Sequence, residues 1–416
     1  MTRTPDPSPK AGPRPRTPRS RQRGTGSTPA LLSSTLVGSA NRGRVIEALF
    51  DLGPTSRAEL ARQAGVNRTT ISGIVQPLID RQILVEGEVS PSGEGGGKPA
   101  RPLWFSPKAQ PICGVLLMPG VVRAGLVSLA GQVLFETTRT VPTERGQGEN
   151  VLIAILGAIE GVLAEAHRPP LGIGIAAGGM VDTDRRLILT NNLAPAFNGL
   201  PLGQAIEQKF QQPVVIDHHP RALLVRDRWF GKGRGLRDCA VIYTGEVLGG
   251  ALYLDGQVRR GAFGAGGELG HTFVQVDGDL CSCGRRGCWD TIATLGWLRR
   301  QAASLGLPEP ASMTSGRLVT MVGDDRADRL LDRYGRNIAV GIANLQQSVA
   351  PNTFILHGDA VEGGEPLRRV IAQHVENLVP ARPGVELRIE LGTPGEDAAL
   401  LGAAGLVLSH LLQLPF

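Results

Sequence analysis

The chain is 416 residues long, with 41% hydrophobic and 20% charged residues and a net charge of +6. That length is too great for one ordinary core, so two or three domains of roughly 100–200 residues are expected. No apolar run of ~18 residues appears, and the charged, proline-rich N-terminus lacks the apolar segment of a secretory signal; neither a membrane span nor a secretory signal is expected, and the cytoplasm is the expected compartment.

The charge is unevenly placed. Residues 1–105 carry 15 Lys/Arg against 8 Asp/Glu, and the remainder 29 against 30. Residues 1–29, rich in Pro, Arg, Ser, Thr and Gly, cannot bury a core and read as a disordered basic tail, able to attract phosphate without folding. Residues 30–107 read as a helical (all-α) winged helix-turn-helix. Val45, Ile46, Leu49 and Phe50 have helical spacing and predict a helix ending near Gly53-Pro54. Ser56 with Glu59 forms a capping-box signal for a helix from Arg57 to Ala64. Gly65 supplies a turn, and Asn67 caps a third helix through Ile71, Ile74 and Val75. Pro77 should kink that helix or end it early. Ile83–Glu86, the glycine run Gly93–Gly97 and Leu103–Phe105 read as a hairpin, the wing.

In a helix-turn-helix the second helix enters the major groove of double-stranded DNA and reads bases from its N-terminal residues. Here those are Arg68, suited to guanine, and Thr69, Thr70 and Ser72, suited to bases or phosphates. Lys98 and Arg101 of the wing suit a backbone or minor groove. The alternative is a small helical domain that contacts protein.

After Pro107 the pattern becomes α/β. Ile112–Leu117, Val121–Leu129 and Gln132–Thr137 predict a meander. Val151–Ala166 predicts a helix, Leu171–Ile175, Val214–Ile216, Ala240–Tyr243 and Thr353–Leu356 predict strands, and long helices follow Thr291 and Leu330. Cys113 and Cys239 sit in strand-like runs and read as buried small hydrophobes. Five cysteines in a chain without a signal argue against a disulfide framework.

Residues 281–290 read Cys-Ser-Cys-Gly-Arg-Arg-Gly-Cys-Trp-Asp. Cys281, Cys283 and Cys288 can wrap one ion, with His271 as the nearest histidine. Four such ligands make a closed, structural zinc (Zn2+) site. The alternative is three reduced or redox-active cysteines.

The segment Gly267-Glu268-Leu269-Gly270-His271, followed by Cys281-x-Cys283-Gly284-x-x-Gly287-Cys288, resembles the signature of the ROK family of repressors and sugar kinases. The N-terminal helix-turn-helix resembles the repressor branch. Asn192-Leu193, Arg228-Trp-Phe-Gly231, Leu254-Asp-Gly256, Ala398–Ala404 and the Gly97-Lys98-Pro99-Ala100 wing are similar to the family's pattern as well. The resemblance implies an actin-like (ribonuclease H-like) two-lobed α/β fold over 108–416 with a sugar cleft between the lobes, and a homodimer or homotetramer. It implies that His271 binds zinc and faces the sugar, that Glu268 bonds sugar hydroxyls, and that Asn192 fills the family's asparagine position. Asp290 stands where the family has a glutamate and is one methylene shorter.

The chain departs from the kinases of that family. Leu116-Leu-Met-Pro-Gly120 replaces an Asp-x-Gly-Gly-Thr-like turn, Gly245-Glu-Val-Leu-Gly249 has Val247 in place of a glycine, and the adenosine-side run is His357-Gly358-Asp359. The family's catalytic aspartate falls on His219, with Asp217 two residues earlier; His219 can serve as a base at neutral pH or as a sugar hydrogen-bond donor. Arg221 replaces a small polar residue, and a cation there would favour an acidic or phosphorylated sugar. The expected function is therefore a sugar-controlled, DNA-binding transcriptional repressor of carbohydrate genes rather than an enzyme. The alternatives are an active sugar kinase with a DNA-binding module, and a regulator whose pocket no longer takes sugar.

Overall fold

The structure, a computed structural model, describes residues 34–88, 101–321, 323–395 and 397–411. The basic tail, the wing's glycine run and Lys98 lie outside these residues.

The head opens with α1 (Ser34–Leu52), whose Val45, Ile46, Leu49 and Phe50 are buried on one face, and which ends at Gly53 with φ +76°. A short strand β1 (Thr55–Ser56) leads into α2 (Arg57–Gln63). Ser56 Oγ accepts from Glu59 N at 3.2 Å. The reciprocal half of the capping box does not form, because the Glu59 carboxylate pairs with Arg62 instead. Helix α3 (Arg68–Asp80) is capped by Asn67, whose Oδ1 accepts from Thr70 N at 2.8 Å. It runs through Pro77 to Asp80 and does not end early. The residue four positions back, whose carbonyl the ring would crowd, is Gly73, an exposed residue with open space at its Cβ position. Strands β2 (Leu84–Glu86) and β3 (Pro102–Phe105) form the expected antiparallel wing base, and β1 joins β3 as a third strand.

Beyond the head stand two five-stranded sheets. The first contains β4 (Ile112–Met118), β5 (Val121–Val127), β6 (Val133–Thr140), β7 (Ile173–Ala177) and β10 (Val214–His218), in the order β10-β7-β4-β5-β6. A two-stranded ribbon, β8 (Met180–Asp182) with β9 (Leu187–Thr190), helix α4 (Gly148–Ala164) and helix α5 (Leu202–Phe210) complete this lobe. Helix α6 (His219–Phe230) then leads to the second sheet, made of β11 (Cys239–Thr244), β12 (Gly249–Leu254), β13 (Gln257–Val258), β14 (Thr353–Gly358) and β15 (Arg388–Leu391), in the order β13-β12-β11-β14-β15. Helices α7 (Leu295–Ser304), α8 (Ser315–Val319), α9 (Asp325–Val349), α10 (Asp359–Glu362) and α11 (Gly364–Leu378) belong to this lobe, and α12 (Ala398–Leu411) closes the described chain.

Both sheets have one plan: an antiparallel meander whose first strand pairs in parallel with a fourth, which pairs in parallel with a fifth. This is the duplicated, two-lobed actin-like architecture. It makes the β4–β5 turn and the β11–β12 turn structural equivalents. Each lobe has its own apolar core. Helix α12 lies against the first sheet so closely that a Cβ on Gly174 would stand 1.9 Å from Ala403 O, which explains a glycine in a strand interior. A third cluster is shared: Val45, Leu49, Phe50, Ile71, Leu103 and Phe105 of the head pack in one continuous core with Leu223, Val225, Trp229 and Leu406. The head is thus fused to α6 and α12 rather than held by a linker.

Candidate functional site

The candidate recognition surface comes first in the chain. Arg68, Thr69 and Thr70 are exposed at the start of α3 and Ser72 is half-buried, while Ile71, Val75 and Leu78 face the core. The Thr70 hydroxyl donates to Asn67 Oδ1 at 2.9 Å, which leaves its oxygen as an acceptor. Arg101 is exposed but lies 3.8 Å from Glu86, which also pairs with Arg57 at 2.7 Å. These acid–base pairs soften the positive field at the wing base.

A cavity of about 580 Å³ opens between the lobes, the size of a small-ligand site. Lobe one contributes Met118 and Pro119 from the β4–β5 turn, Gly178–Met180, Thr190–Leu193, and His218 and His219 from the β10–α6 junction. Lobe two contributes Tyr243, the β11–β12 turn from Glu246 to Gly249, and Glu268, His271 and Asp290. The five expected ligand residues, Asn192, His219, Glu268, His271 and Asp290, are therefore brought to one cleft.

Their surroundings differ. Asn191 is buried and its Oδ1 accepts from the backbone N–H groups of Leu193 and Ala194, a turn that presents the exposed Asn192. Asn192 Nδ2 reaches across the lobes to Ser282 O at 3.5 Å. Burial pushes the Glu268 carboxyl above its ordinary range, against the pull of His271 and Arg221. Burial raises Asp290 also, against a 2.7 Å bond from Leu248 N and the pull of His271. One Asp290 oxygen thus tethers the β11–β12 turn, a task the sequence did not announce. His219 is 6% exposed and stands edge-on to Tyr243 at 4.8 Å between ring centroids. Burial, with a contribution from His357, lowers its pKa to about 3. A neutral imidazole that weakly basic is a poor proton acceptor near neutral pH, so the expectation of a histidine base is corrected. It remains able to share hydrogen bonds.

Arg221 is also corrected. It is 1% exposed and its guanidinium is committed to Asp217 and to the carbonyls of Gly264 and Gly266, at 3.1 and 2.7 Å. It does not line the cleft, and its buried Nη2 is left without a hydrogen-bond partner; its charge reaches the cleft only through its pull on Glu268. Asp217 is held by Arg221 and, at 2.8 Å, by Arg260. Opposite, Glu246 pairs with Arg299 at 2.7 Å. Asp359 is bound internally by Ser315 N and the Tyr334 hydroxyl, at 2.9 and 3.1 Å.

Ligand atoms of His271, Cys281, Cys283 and Cys288 all lie within 4.8 Å of one another. His271 Nδ1 is 3.6 Å from Cys281 Sγ, and Cys283 Sγ is 3.7 Å from Cys288 Sγ. A tetrahedral zinc with Zn–S of about 2.3 Å and Zn–N of about 2.0–2.1 Å has edges of about 3.8 Å between sulfurs and about 3.6 Å between sulfur and nitrogen. These two separations match such edges, so the cluster could hold that ion. The loop is anchored by Trp289, which sequence reading passed over: it is fully buried and donates from Nε1 to Asn337 O at 2.8 Å. Its place directly after the last cysteine was the available signal. Cys113 and Cys239 are buried and their thiols are pushed up to about 12, as small hydrophobes should be. No helix among the described residues is long and apolar enough to cross a membrane.

A family model described as the ROK family matches residues 121–410. The xylose repressor of Bacillus subtilis (strain 168) is 22% identical over 389 residues, covering 92% of this chain and 99% of the repressor. The glucokinase of Thermotoga maritima is 29% identical over 317 residues, covering 72% of this chain and 98% of the enzyme. Among solved structures, a ROK family transcriptional regulator described as a homolog of the Escherichia coli MLC protein superposes with a TM-score of 0.73 at 24% identity, over 90% of this chain and 97% of that one.

Proposed function

The chain belongs to the ROK family, and on that premise we propose that it is a DNA-binding transcriptional repressor of carbohydrate genes, controlled by a neutral sugar in the interlobe cleft. The observation that carries this reading is the head: a capped recognition helix with Arg68, Thr69 and Thr70 exposed, packed in one core with the effector lobes. The coverage of relatives supports it. The xylose repressor matches 92% of the chain and the glucokinase 72%, a difference the size of the head. We assign residues 1–29 to a basic tail, 30–107 to the winged helix-turn-helix and 108–416 to the effector region, and we expect a homodimer or homotetramer that places two heads on one operator.

The neutral character of the sugar follows from the cleft walls. Glu246, Glu268 and Asp290 face it with Arg285, while Arg221 is sealed away and His219 is held uncharged. A phosphorylated sugar would meet more carboxylates than cations. Zinc held by His271, Cys281, Cys283 and Cys288 would take no part in chemistry; when bound, it braces the loop carrying Asp290 and orients His271 toward the cleft. Phosphoryl transfer needs a phosphate cradle and a positioned base. Met118 and Pro119 fill one turn, Glu246 and Val247 the equivalent one, and His219 stands in the base position, so we infer that the chain is not a kinase.

The test is selection of bound duplex DNA from a random pool by the full chain, repeated with D-xylose, D-glucose and their phosphates. Enrichment of a two-half-site sequence, weakened by a neutral sugar, is expected. Failure to retain any duplex at low salt, or ATP-dependent phosphorylation of either sugar, refutes the reading.

A further inference from the structure

Helix α6 touches the cleft at one end and the head at the other. His219, its first residue, lines the cavity. Arg221 ties its first turn to Asp217 and to the Gly264 and Gly266 carbonyls of the segment that leads into Glu268. In its last turn, Asp227 shares a 2.7 Å hydrogen bond with His357 Nε2 of β14, in lobe two. Trp229 Nε1 donates to Ser409 Oγ of α12 at 2.9 Å. At the far end Arg228 pairs with Asp51, at 2.8 Å, and with Glu47, both on α1. Asp51 Oδ1 also accepts from Gly235 N at 3.2 Å. Phe50 of α1 packs edge-to-face on the same turn, with ring centroids 4.7 Å from Trp229 and 5.2 Å from Phe230.

The helix is suited to carry displacement. Its residues from His219 to Trp229 are all buried, so it has no solvated face along which to bend independently. Twelve residues at about 1.5 Å each set its ends about 18 Å apart. Closure of the lobes on a ligand would act on His219 and, through Arg221, on the Glu268 segment, and a buried rod passes such a shift along its length.

We propose that α6 is the strut through which cleft occupancy reaches the DNA-reading head, and that Arg228 is a positioning residue which clamps α1 to it through Glu47 and Asp51. The proposal rests on the reading of the cleft as the effector site. Burial works against the charge of Arg228, and the Asp51 and Glu47 carboxylates overcome it, holding the guanidinium pKa above its ordinary value. The guanidinium therefore stays charged in its buried place. It joins α1, not α3, so its role is to orient the recognition helix rather than to touch DNA.

The test uses the full chain, with hydrogen–deuterium exchange read on cleft peptides (187–193 and 265–271) and head peptides (45–52 and 68–80). The probes are D-xylose and D-glucose. Glu47→Gln with Asp51→Asn removes both carboxylates at constant shape. Arg228→Met is a second clamp variant, in case an unneutralised buried arginine prevents folding, and circular dichroism checks both. In the wild type, sugar slows cleft exchange and changes head exchange by at least about fivefold, the low end of ordinary allosteric coupling. In the clamp variants the cleft still responds and the head does not. A head response retained in a folded clamp variant overturns the proposal. A ligand-free arm separates this from failure of the effector reading. His219→Ala loosens the first turn of α6 and should raise exchange of 45–52 with the clamp intact, but leave it unchanged from background once the clamp is cut. If neither sugar slows the cleft peptides, the effector reading fails for these sugars. The ligand-free arm then decides: transmission that requires the clamp supports the strut, and its absence overturns it.

Discussion

Gly341 lies in the middle of α9, and a Cβ built on it would stand 2.2–2.4 Å from three atoms of the Trp289 indole. Ordinary carbon contacts are about 3.5–4.0 Å, so Gly341→Ala demands a displacement of more than an ångström. Neither side yields easily. Trp289 is fully buried and bonded to Asn337 O on the same helix. Gly341 sits between Ile338, Ala339 and Ile342, all buried. Overpacking of this kind costs about 1–3 kcal/mol, and about 3 kcal/mol lowers the Tm of a domain this size by roughly 6–12 °C. Because Trp289 directly follows Cys288, the strain should pass into the metal loop and lower bound zinc. The assay is calorimetric melting together with metal content by mass spectrometry. Gly296→Ala, where a Cβ meets nothing nearer than 3.6 Å, is the control and should be neutral or stabilising by a few tenths to about 1 kcal/mol. A Gly341→Ala protein that melts within a degree of wild type and keeps its zinc would refute the packing argument.

Chelation of zinc should lower the Tm and loosen residues 271–290, because metal affinity in a closed thiolate site is folding free energy; calorimetry with and without chelator reads it, and an unchanged Tm would contradict the fit of the four ligands. Arg68→Ala should weaken selected DNA by about 1–3 kcal/mol and relax one base position, measured by fluorescence anisotropy against scrambled duplex. Burial holds His218 and His219 neutral, with pKa values lowered to about 3 from 6.5. The unfolded chain binds protons on them below about pH 6.5 while the folded chain does not, so stability falls as pH drops from 6.5 toward 3. Denaturant titrations at pH 7 and pH 5 should show a shallower loss for His219→Gln than for wild type; an identical loss would mean that His219 is not held neutral.

The head was legible in detail because capping and turn residues act locally: Ser56, Gly65 and Asn67 each stand where the chain turns. The cysteine cluster was legible for the same reason, since three of the four residues that could hold an ion fall within eight positions. The duplication of the two lobes was not, because it lives in strand order rather than residue identity. The roles of Arg221 and Arg228 were not legible either. A charged residue on a helix reads as solvated by default. Both are buried because their partners, Asp217 and the Gly264–Gly266 carbonyls for one and Glu47 and Asp51 for the other, converge only through tertiary packing. For Arg228 the partners lie 177 and 181 positions away. The fusion of head and effector cores was hidden for the same cause: Phe50 and Trp229 each look like ordinary helix residues in isolation.

Restoring a carboxylate at the base position should not restore phosphoryl transfer. In His219→Asp the new side chain would stand at the start of α6, facing the cleft as His219 does, and a positioned base contributes about 10²–10⁴-fold to such a reaction. That factor multiplies a rate that requires a bound nucleotide. The two turns made equivalent by the duplication, β4–β5 and β11–β12, would each have to bring backbone N–H groups to phosphate. One presents the side chains of Met118 and Pro119, and proline has no N–H to offer. The other presents Val247 and the carboxylate of Glu246, which opposes phosphate unless Arg299 neutralises it fully. Leu248 N, a donor on that turn, is taken by Asp290. The expected result is no ATP-dependent phosphorylation of D-glucose or D-xylose by His219→Asp in a coupled assay, with operator binding retained. Turnover above that of a heat-inactivated control would show that the turns can still cradle phosphate and that the loss lay in the base alone.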